Sequence, residues 1–252
     1  MRVHRRLSSV GALLVAFLTP CTAAAQTELQ LWGNVTFSWI KDHRLTLGVD
    51  TEPQVLVSKP ADDPGWATLD VTPSIEYTPN RWFDLLGQLK LGRTRQTNDL
   101  DSTEIAPRVG IQFHLLTNLF DELARENRPK RRFVMRDLLR LEWRNFYYSN
   151  DQPDSSTRRL RNRVQVLYPL NRSNITDSGA IFLLSDVEWF WPRNDPDERF
   201  ANQQRIRAGV GYRRDRAWRF ETLYVWDRSR NSANERFTAT NHAIDLRVRR
   251  VW

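Results

Sequence analysis

The sequence predicts an all-β fold, namely a transmembrane antiparallel β-barrel of about 10–12 strands with a charged lumen. Three observations predict it. Apolar and polar residues alternate with a period of two along most of the chain. Tryptophan and tyrosine residues collect near the ends of the alternating segments. The chain also stops at an aromatic residue, Trp252, directly after the last segment.

The first 25 residues have the pattern of a cleaved secretory signal peptide. A basic start is followed by an apolar stretch and by three alanines before Gln26. We expect cleavage at this point, which leaves residues 26–252 as a single β-barrel domain. The alternatives are an uncleaved membrane anchor and a lipoprotein that carries its lipid on Cys21, although Pro20 fits such a site poorly.

The charge of the chain is moderately basic. It contains 38 Lys and Arg and 30 Asp and Glu, a formal net charge of +8. The signal peptide holds three of the arginines and no acid, so the mature chain carries +5. We expect no nucleic-acid partner, because the basic residues alternate along strands with acids among them. The only cysteine, Cys21, lies in the signal peptide, so we expect no disulfide and no cysteine-ligated metal.

The alternation is clear in LTLGVDTEPQV, where Leu45, Leu47 and Val49 oppose Thr46 and Asp50. Successive side chains of a strand point to opposite faces, so such a segment has one apolar and one polar face. About eleven segments of this kind are separated by turn signals. In chain order they are LWGNVTFSWI, LTLGVDTEPQV, ATLDVTPSIEY, FDLLGQLKLGR, EIAPRVGIQF, LLRLEWRNF, RRLRNRVQVLYPL, IFLLSDVEWFW, QRIRAGVGY, WRFETLYVW and AIDLRVRRVW.

Two architectures use strands of this kind. A soluble β-sandwich buries the apolar faces in a core, whereas a membrane barrel turns them to lipid and the polar faces to its lumen. The aromatic residues favour the barrel, because amphipathic rings form two girdles at the membrane interfaces. The residues assigned to these girdles are Trp32, Trp39, Trp82, Trp143, Trp189, Trp191, Trp218, Trp226, Tyr77, Tyr147, Tyr148, Tyr212 and Tyr224.

The connections and the last residue also favour the barrel. Short and long connections alternate, as they do in outer-membrane barrels. The short ones are residues 41–44, 79–81 and 213–215, and the long ones are 58–65, 95–102, 149–155, 192–199 and 227–237. Such barrels typically end on an aromatic residue, here Trp252, that closes the sheet and is recognised by the insertion machinery. The expected location is the outer membrane, and the expected partners are its lipid and that machinery.

The segments also resemble a known family. LLRLEWR, RRLRNRVQVLYPLN, DVEWFW, RIRAGVGYRR and HAIDLRVRRVW are similar to the outer-membrane family catalogued as "domain of unknown function 2490". The resemblance covers residues 30–252. It implies a small barrel of Gram-negative bacteria without an assigned activity.

Arginines and acids on the polar faces of neighbouring strands predict a charge network in the lumen. Opposite charges on adjacent strands would neutralise one another, because an isolated buried ion costs several kcal/mol. The predicted network consists of Arg140, Glu142, Arg144, Arg159, Arg161, Arg163, Asp186, Glu188, Arg205, Arg207, Arg247 and Arg249. It is either structural or the lining of a narrow pore or binding barrel that favours anionic solutes, including lipid headgroups.

Two other functions remain open. An outer-membrane enzyme that modifies lipid would need a serine and histidine site, and His114 and His242 occur in no motif of that kind. A soluble periplasmic β-sandwich that binds a solute is the second. We expect no catalytic residue, no metal site and no cofactor, because His43, His114 and His242 lack the spacing of metal ligands.

The number of predicted strands is odd, whereas single-chain bacterial barrels have even numbers. The region of greatest ambiguity is the long connection at residues 115–132. Residues 119–126 within it have the pattern of a short amphipathic helix. The sequence therefore leaves open whether the number of strands is even or odd.

Overall fold

The structure, a computed structural model, describes residues 28–58, 65–97, 101–115, 133–149, 152–192, 202–229 and 239–252. These residues form eleven β-strands, and no helix occurs among them. The strands are β1 (Glu28–Ile40), β2 (Leu45–Ser58), β3 (Trp66–Asn80), β4 (Phe83–Gln96), β5 (Ser102–His114), β6 (Val134–Tyr148), β7 (Ser155–Pro169), β8 (Ala180–Pro192), β9 (Asn202–Arg213), β10 (Trp218–Ser229) and β11 (Ala239–Val251). The predicted all-β barrel of about 10–12 strands is confirmed. Within the described residues no helix is long and apolar enough to cross a membrane.

The eleven strands close into one sheet in which β1 pairs with β11. The ten pairs of consecutive strands are antiparallel. The closing pair is parallel, in register from Glu28 opposite Asn241 to Ser38 opposite Val251, and so departs from the predicted antiparallel arrangement. The cause is the odd strand number, because the first and last of eleven consecutively antiparallel strands run in the same direction.

The two ends of the barrel differ in their connections. At one end, here called the turn end, the connections β1–β2, β3–β4, β5–β6, β7–β8 and β9–β10 meet the last residue, Trp252. Three of these connections span only residues 41–44, 81–82 and 214–217. The opposite end, here called the loop end, holds the other five connections and the start of β1. The helix predicted at 119–126 lies outside the described residues.

Asp42 fixes the first tight turn. Its carboxylate accepts hydrogen bonds from the backbone N–H groups of Arg44, at 2.7 Å, and Leu45, at 2.9 Å. The bond from the Arg44 N–H holds the pKa of Asp42 below its ordinary value. A short acidic side chain that bonds the backbone ahead of it is a common device for reversing a chain.

The outward and inward faces of the barrel have opposite character. The outward rows carry large exposed apolar side chains on all strands. Examples from successive parts of the sheet are Leu31, Val55, Leu69, Leu91, Val109, Leu141, Leu160, Leu183, Val210, Phe220 and Leu246. The inward rows hold most of the buried charged residues. Trp32 departs from its predicted place in a girdle, since it points into the lumen and is only 6% exposed.

Trp252 joins the two ends of the sheet. Its backbone N–H donates to Ser38 O at 2.9 Å, and its carbonyl accepts from the N–H of Ile40 at 3.0 Å. The indole stacks on Trp39, with ring centroids 5.3 Å apart. The guanidinium of Arg250 lies 4.4 Å from the ring centroid of Trp252 and 5.0 Å from that of Trp218. Aromatic rings therefore accommodate the charge of Arg250 on the outward row.

Candidate functional site

The inward rows of β6 to β9 and of β11 carry all twelve residues of the predicted network. Ten of them form ion pairs within the described part of the chain. The other two, Arg163 and Arg249, line the central cavity and form no ion pair with a described residue. Arg249 makes one long hydrogen bond, to the hydroxyl of Ser38 at 3.4 Å.

Glu142 is the centre of the first cluster and is fully buried. Its carboxylate accepts hydrogen bonds from Arg140 Nε at 2.8 Å and from Arg159 Nε at 2.9 Å. Arg108 and Arg161 add longer contacts, at 3.7 and 3.6 Å. Four guanidinium groups around one carboxylate leave a local excess of positive charge, which must be balanced elsewhere in the lumen.

Glu188 is the centre of the second cluster and is also fully buried. It accepts a hydrogen bond from Arg161 and longer contacts from Arg205, at 3.5 Å, and Arg207, at 3.7 Å. Arg207 Nε donates to Asp186 at 2.7 Å. Because Arg161 contacts both glutamates, the two clusters form one continuous network across β6 to β9.

Two aromatic rings lie inside this network. Three guanidinium carbons surround the ring of Phe190, those of Arg159 at 4.8 Å, Arg161 at 5.1 Å and Arg205 at 5.5 Å. Arg205 also lies 4.6 Å from the ring centroid of Trp32. The negative faces of the rings stabilise cations that share too few carboxylates.

Lys90 holds a third cluster, which was not predicted. Its Nζ lies 2.8 Å from the carboxylates of both Asp70 and Glu104. Glu104 also accepts hydrogen bonds from Arg144, at 2.6 and 3.2 Å. The signal for these residues was present in the sequence, because they lie on the polar rows of β3, β4 and β5, which alternate as clearly as the others.

A fourth cluster joins β10 to β11. Arg247 Nε donates to Asp245 at 2.8 Å, and a terminal nitrogen of Arg247 lies 3.8 Å from Glu221. Glu221 also pairs with Arg219 on its own strand. Of these four residues only Arg247 belongs to the predicted network.

β1, β2 and β3 form an acidic wall. These three strands contain no lysine and no arginine. Asp50 accepts a hydrogen bond from the Thr36 hydroxyl at 2.5 Å, and Glu52 accepts one from the Asn34 amide at 3.0 Å. Asp50, Glu52 and Glu76 line the cavity and form no ion pair with a described residue. Their negative charge is therefore available to the lumen.

The space between the walls is a cavity of about 700 Å³. Its lining runs from Trp66 and Tyr148 near the loop end to Ser38, Thr78 and His114 near the turn end. Tilted strands of this length span about 30 Å, so the mean cross-section of the cavity is about 20 Å².

An apolar cluster fills the turn end on the side of β6 to β10. Its members are Val134, Leu167, Ile175, Phe182, Leu184 and Leu223. Ile175 comes from the β7–β8 connection and is only 5% exposed. Arg213 Nε holds it in place by donating to the Ile175 carbonyl at 2.9 Å. At the turn end the cavity is therefore lined mainly by the strands outside β6 to β10.

The described histidines do not form one site. His114 faces the lumen, where its Nε2 donates to Asp84 at 2.8 Å. His242 lies on the outer face, hydrogen-bonded to the hydroxyl of Tyr224. Neither histidine contacts a serine in the hydrogen bonds of the described residues. Within the same residues, no group of three or more His, Cys, Asp or Glu side chains is placed to hold a metal ion.

The chain matches the model of a known protein family. The family model described as "Protein of unknown function (DUF2490)" matches residues 29–238. No curated protein and no solved structure matches the chain. The match covers most of the barrel, from β1 to the connection before β11.

Proposed function

The chain belongs to the family "Protein of unknown function (DUF2490)", and from its geometry we propose an outer-membrane β-barrel with a narrow, water-filled passage for small ions and polar solutes. The observation that carries this proposal is the cavity of about 700 Å³ whose lining reaches from near the loop end to near the turn end. The competing proposal is a purely structural barrel whose lumen is filled by its own side chains.

The outer surface supports the membrane location. Exposed apolar side chains occur on all sides of the barrel, which a soluble protein would bury or keep to a small patch. Hydrocarbon is the environment in which such a surface is stable, and a closed sheet leaves no unpaired edge in it. β11 and its terminal Trp252 are the proposed recognition signal for the barrel-insertion machinery.

The charges on the cavity surface support a modest preference for anions. Thirteen lysine or arginine side chains and nine aspartate or glutamate side chains line the cavity. Four more acids, Glu28, Glu142, Asp186 and Glu188, are buried on the inward rows and bring these described charges into balance. The field of the arginines is therefore largely neutralised, so the preference is smaller than the arginine rows alone would give.

Fractionation tests the location. We expect the mature protein in the outer membrane, and we expect unheated samples to migrate differently from boiled samples on gels, because a closed barrel resists detergent. Recovery as a soluble periplasmic protein would contradict the barrel in the membrane and support a soluble binding protein.

Planar-bilayer recording of the refolded protein tests the passage. We expect small steps of current with a weak anion preference, measured as the reversal potential in a salt gradient. The variant R163Q/R249Q removes two lining arginines that form no ion pair with a described residue, and should shift the preference towards cations. R214Q, which removes an exposed arginine from a turn, is the control. Absence of current would favour a structural barrel or a lipid-modifying enzyme. A lipid hydrolysis assay on the wild type and on a His114 and His242 double variant would distinguish these two alternatives.

A further inference from the structure

The lumen separates its charges onto opposite walls. β1 to β3 contribute only acids among their charged residues, whereas the inward rows of β6 and β7 contribute six arginines and one glutamate. In a closed ring of eleven strands, β2 lies opposite the boundary between β7 and β8. The acidic wall therefore faces the basic wall across the cavity, which creates an electric field perpendicular to the barrel axis.

Contacts within each wall do not cancel this field. Asp50 and Glu52 are hydrogen-bonded to the neutral side chains of Thr36 and Asn34. Arg163, on the other wall, forms no ion pair with a described residue and lines the same cavity.

We propose that the passage prefers small zwitterionic solutes, which carry an ammonium group and a carboxylate on one molecule. Such a solute can place its cation towards Asp50 and Glu52 and its anion towards Arg163, and so interacts favourably with both walls. A simple anion is attracted by one wall and repelled by the other. A neutral solute gains neither interaction. The cross-section of about 20 Å² limits the class to molecules of the size of the smallest amino acids.

This inference rests on the proposed passage, and solute flux into proteoliposomes tests both. The probes are glycine, its neutral analogue glycolamide, its anionic analogue glycolate and its cationic analogue glycinamide, which are similar in size. We expect glycine to enter about fivefold faster than glycolamide, which corresponds to a coupling near 1 kcal/mol. The rates of entry of glycolate and glycinamide should lie between those of glycine and glycolamide or below both.

Two variants test whether the charges of the two walls cause the preference for glycine. D50N/E52Q keeps hydrogen-bond acceptors for Thr36 and Asn34 but removes both charges from the acidic wall. R163Q removes one charge from the basic wall, and it serves as the second test if D50N/E52Q fails to fold. Both should bring the rate of glycine close to that of glycolamide. The control D154N removes an exposed carboxylate outside the lumen and should keep the wild-type ratio.

The possible results separate the two proposals. Equal rates for glycine and glycolamide in the wild type, with measurable flux of both, would overturn the zwitterion preference and leave the passage intact. A preference that survives in both lumen variants would also overturn it. Absence of flux for all four solutes, together with absence of salt current, would overturn the passage and the preference with it.

Discussion

Arg161 on β7 is hydrogen-bonded to Glu188 on β8, although its direct partner across the two strands is Phe190. The contact is diagonal, because Glu188 stands opposite Arg163. The ring of Phe190 occupies the position beside Arg161 and contacts its guanidinium, so the side chain reaches along the sheet to a carboxylate. Register between neighbouring strands thus decides which charges meet.

Removal of Glu188 should be the more damaging change at this pair. E188Q leaves three arginines without their shared carboxylate and should cost about 3–5 kcal/mol. R161Q should cost less, because Glu188 keeps Arg205 and Arg207. The double variant should cost less than the sum of the two single variants, measured by denaturant unfolding of the protein in lipid vesicles.

The exposed pair Arg93 and Asp101 is the control for this cycle, with side chains 48% and 29% exposed. Its coupling should be only about 0–1 kcal/mol, because water screens both charges. Strictly additive losses at Arg161 and Glu188 would contradict the pairing described here.

Trp252 should stabilise the closure of the barrel. W252A keeps the backbone hydrogen bonds of this residue but loses the stacking on Trp39 and the contact with Arg250, a loss of about 1–2 kcal/mol. Folding into vesicles, followed by the shift in gel migration, should be slower. W191A is the control, since Trp191 is similarly exposed, on β8. Equal effects of the two variants would show that any interfacial tryptophan acts in the same way.

The apolar cluster at the turn end requires a glycine at position 211. A Cβ atom at Gly211 would overlap the ring of Phe182, which lies directly opposite on β8. G211A should therefore destabilise the barrel by about 1–3 kcal/mol, measured by denaturant unfolding. The second change F182L should recover part of the loss. G65A is the control, because its Cβ would meet only the side chain of Thr97.

Ile175 should limit conduction at the turn end. I175S weakens the apolar contacts that hold the β7–β8 connection in the mouth of the barrel, and it should increase the single-channel conductance. I175V keeps an apolar side chain and should leave the conductance close to the wild-type value. An unchanged conductance in I175S would mean that this connection does not restrict the passage.

About eleven strand segments and their two faces could be predicted from the sequence. A strand alternates its side chains as a local property of the backbone, so LTLGVDTEPQV or RRLRNRVQVLYPL reveals its polar row without any neighbour. The same local pattern contained the polar rows of Asp70, Lys90 and Glu104. These residues were missed as a cluster because alternation does not say which rows become neighbours in space.

The sequence by itself therefore determined the strand segments and the polar character of the row that holds Arg159, Arg161 and Arg163, but it left open whether the number of strands is even or odd. The tertiary structure decided the parallel pairing of β1 with β11 and the inward position of Trp32. It also decided the opposition of the acidic and basic walls. Each of these depends on closure of the ring, which brings together residues up to about 200 positions apart, and no local periodicity carries that information.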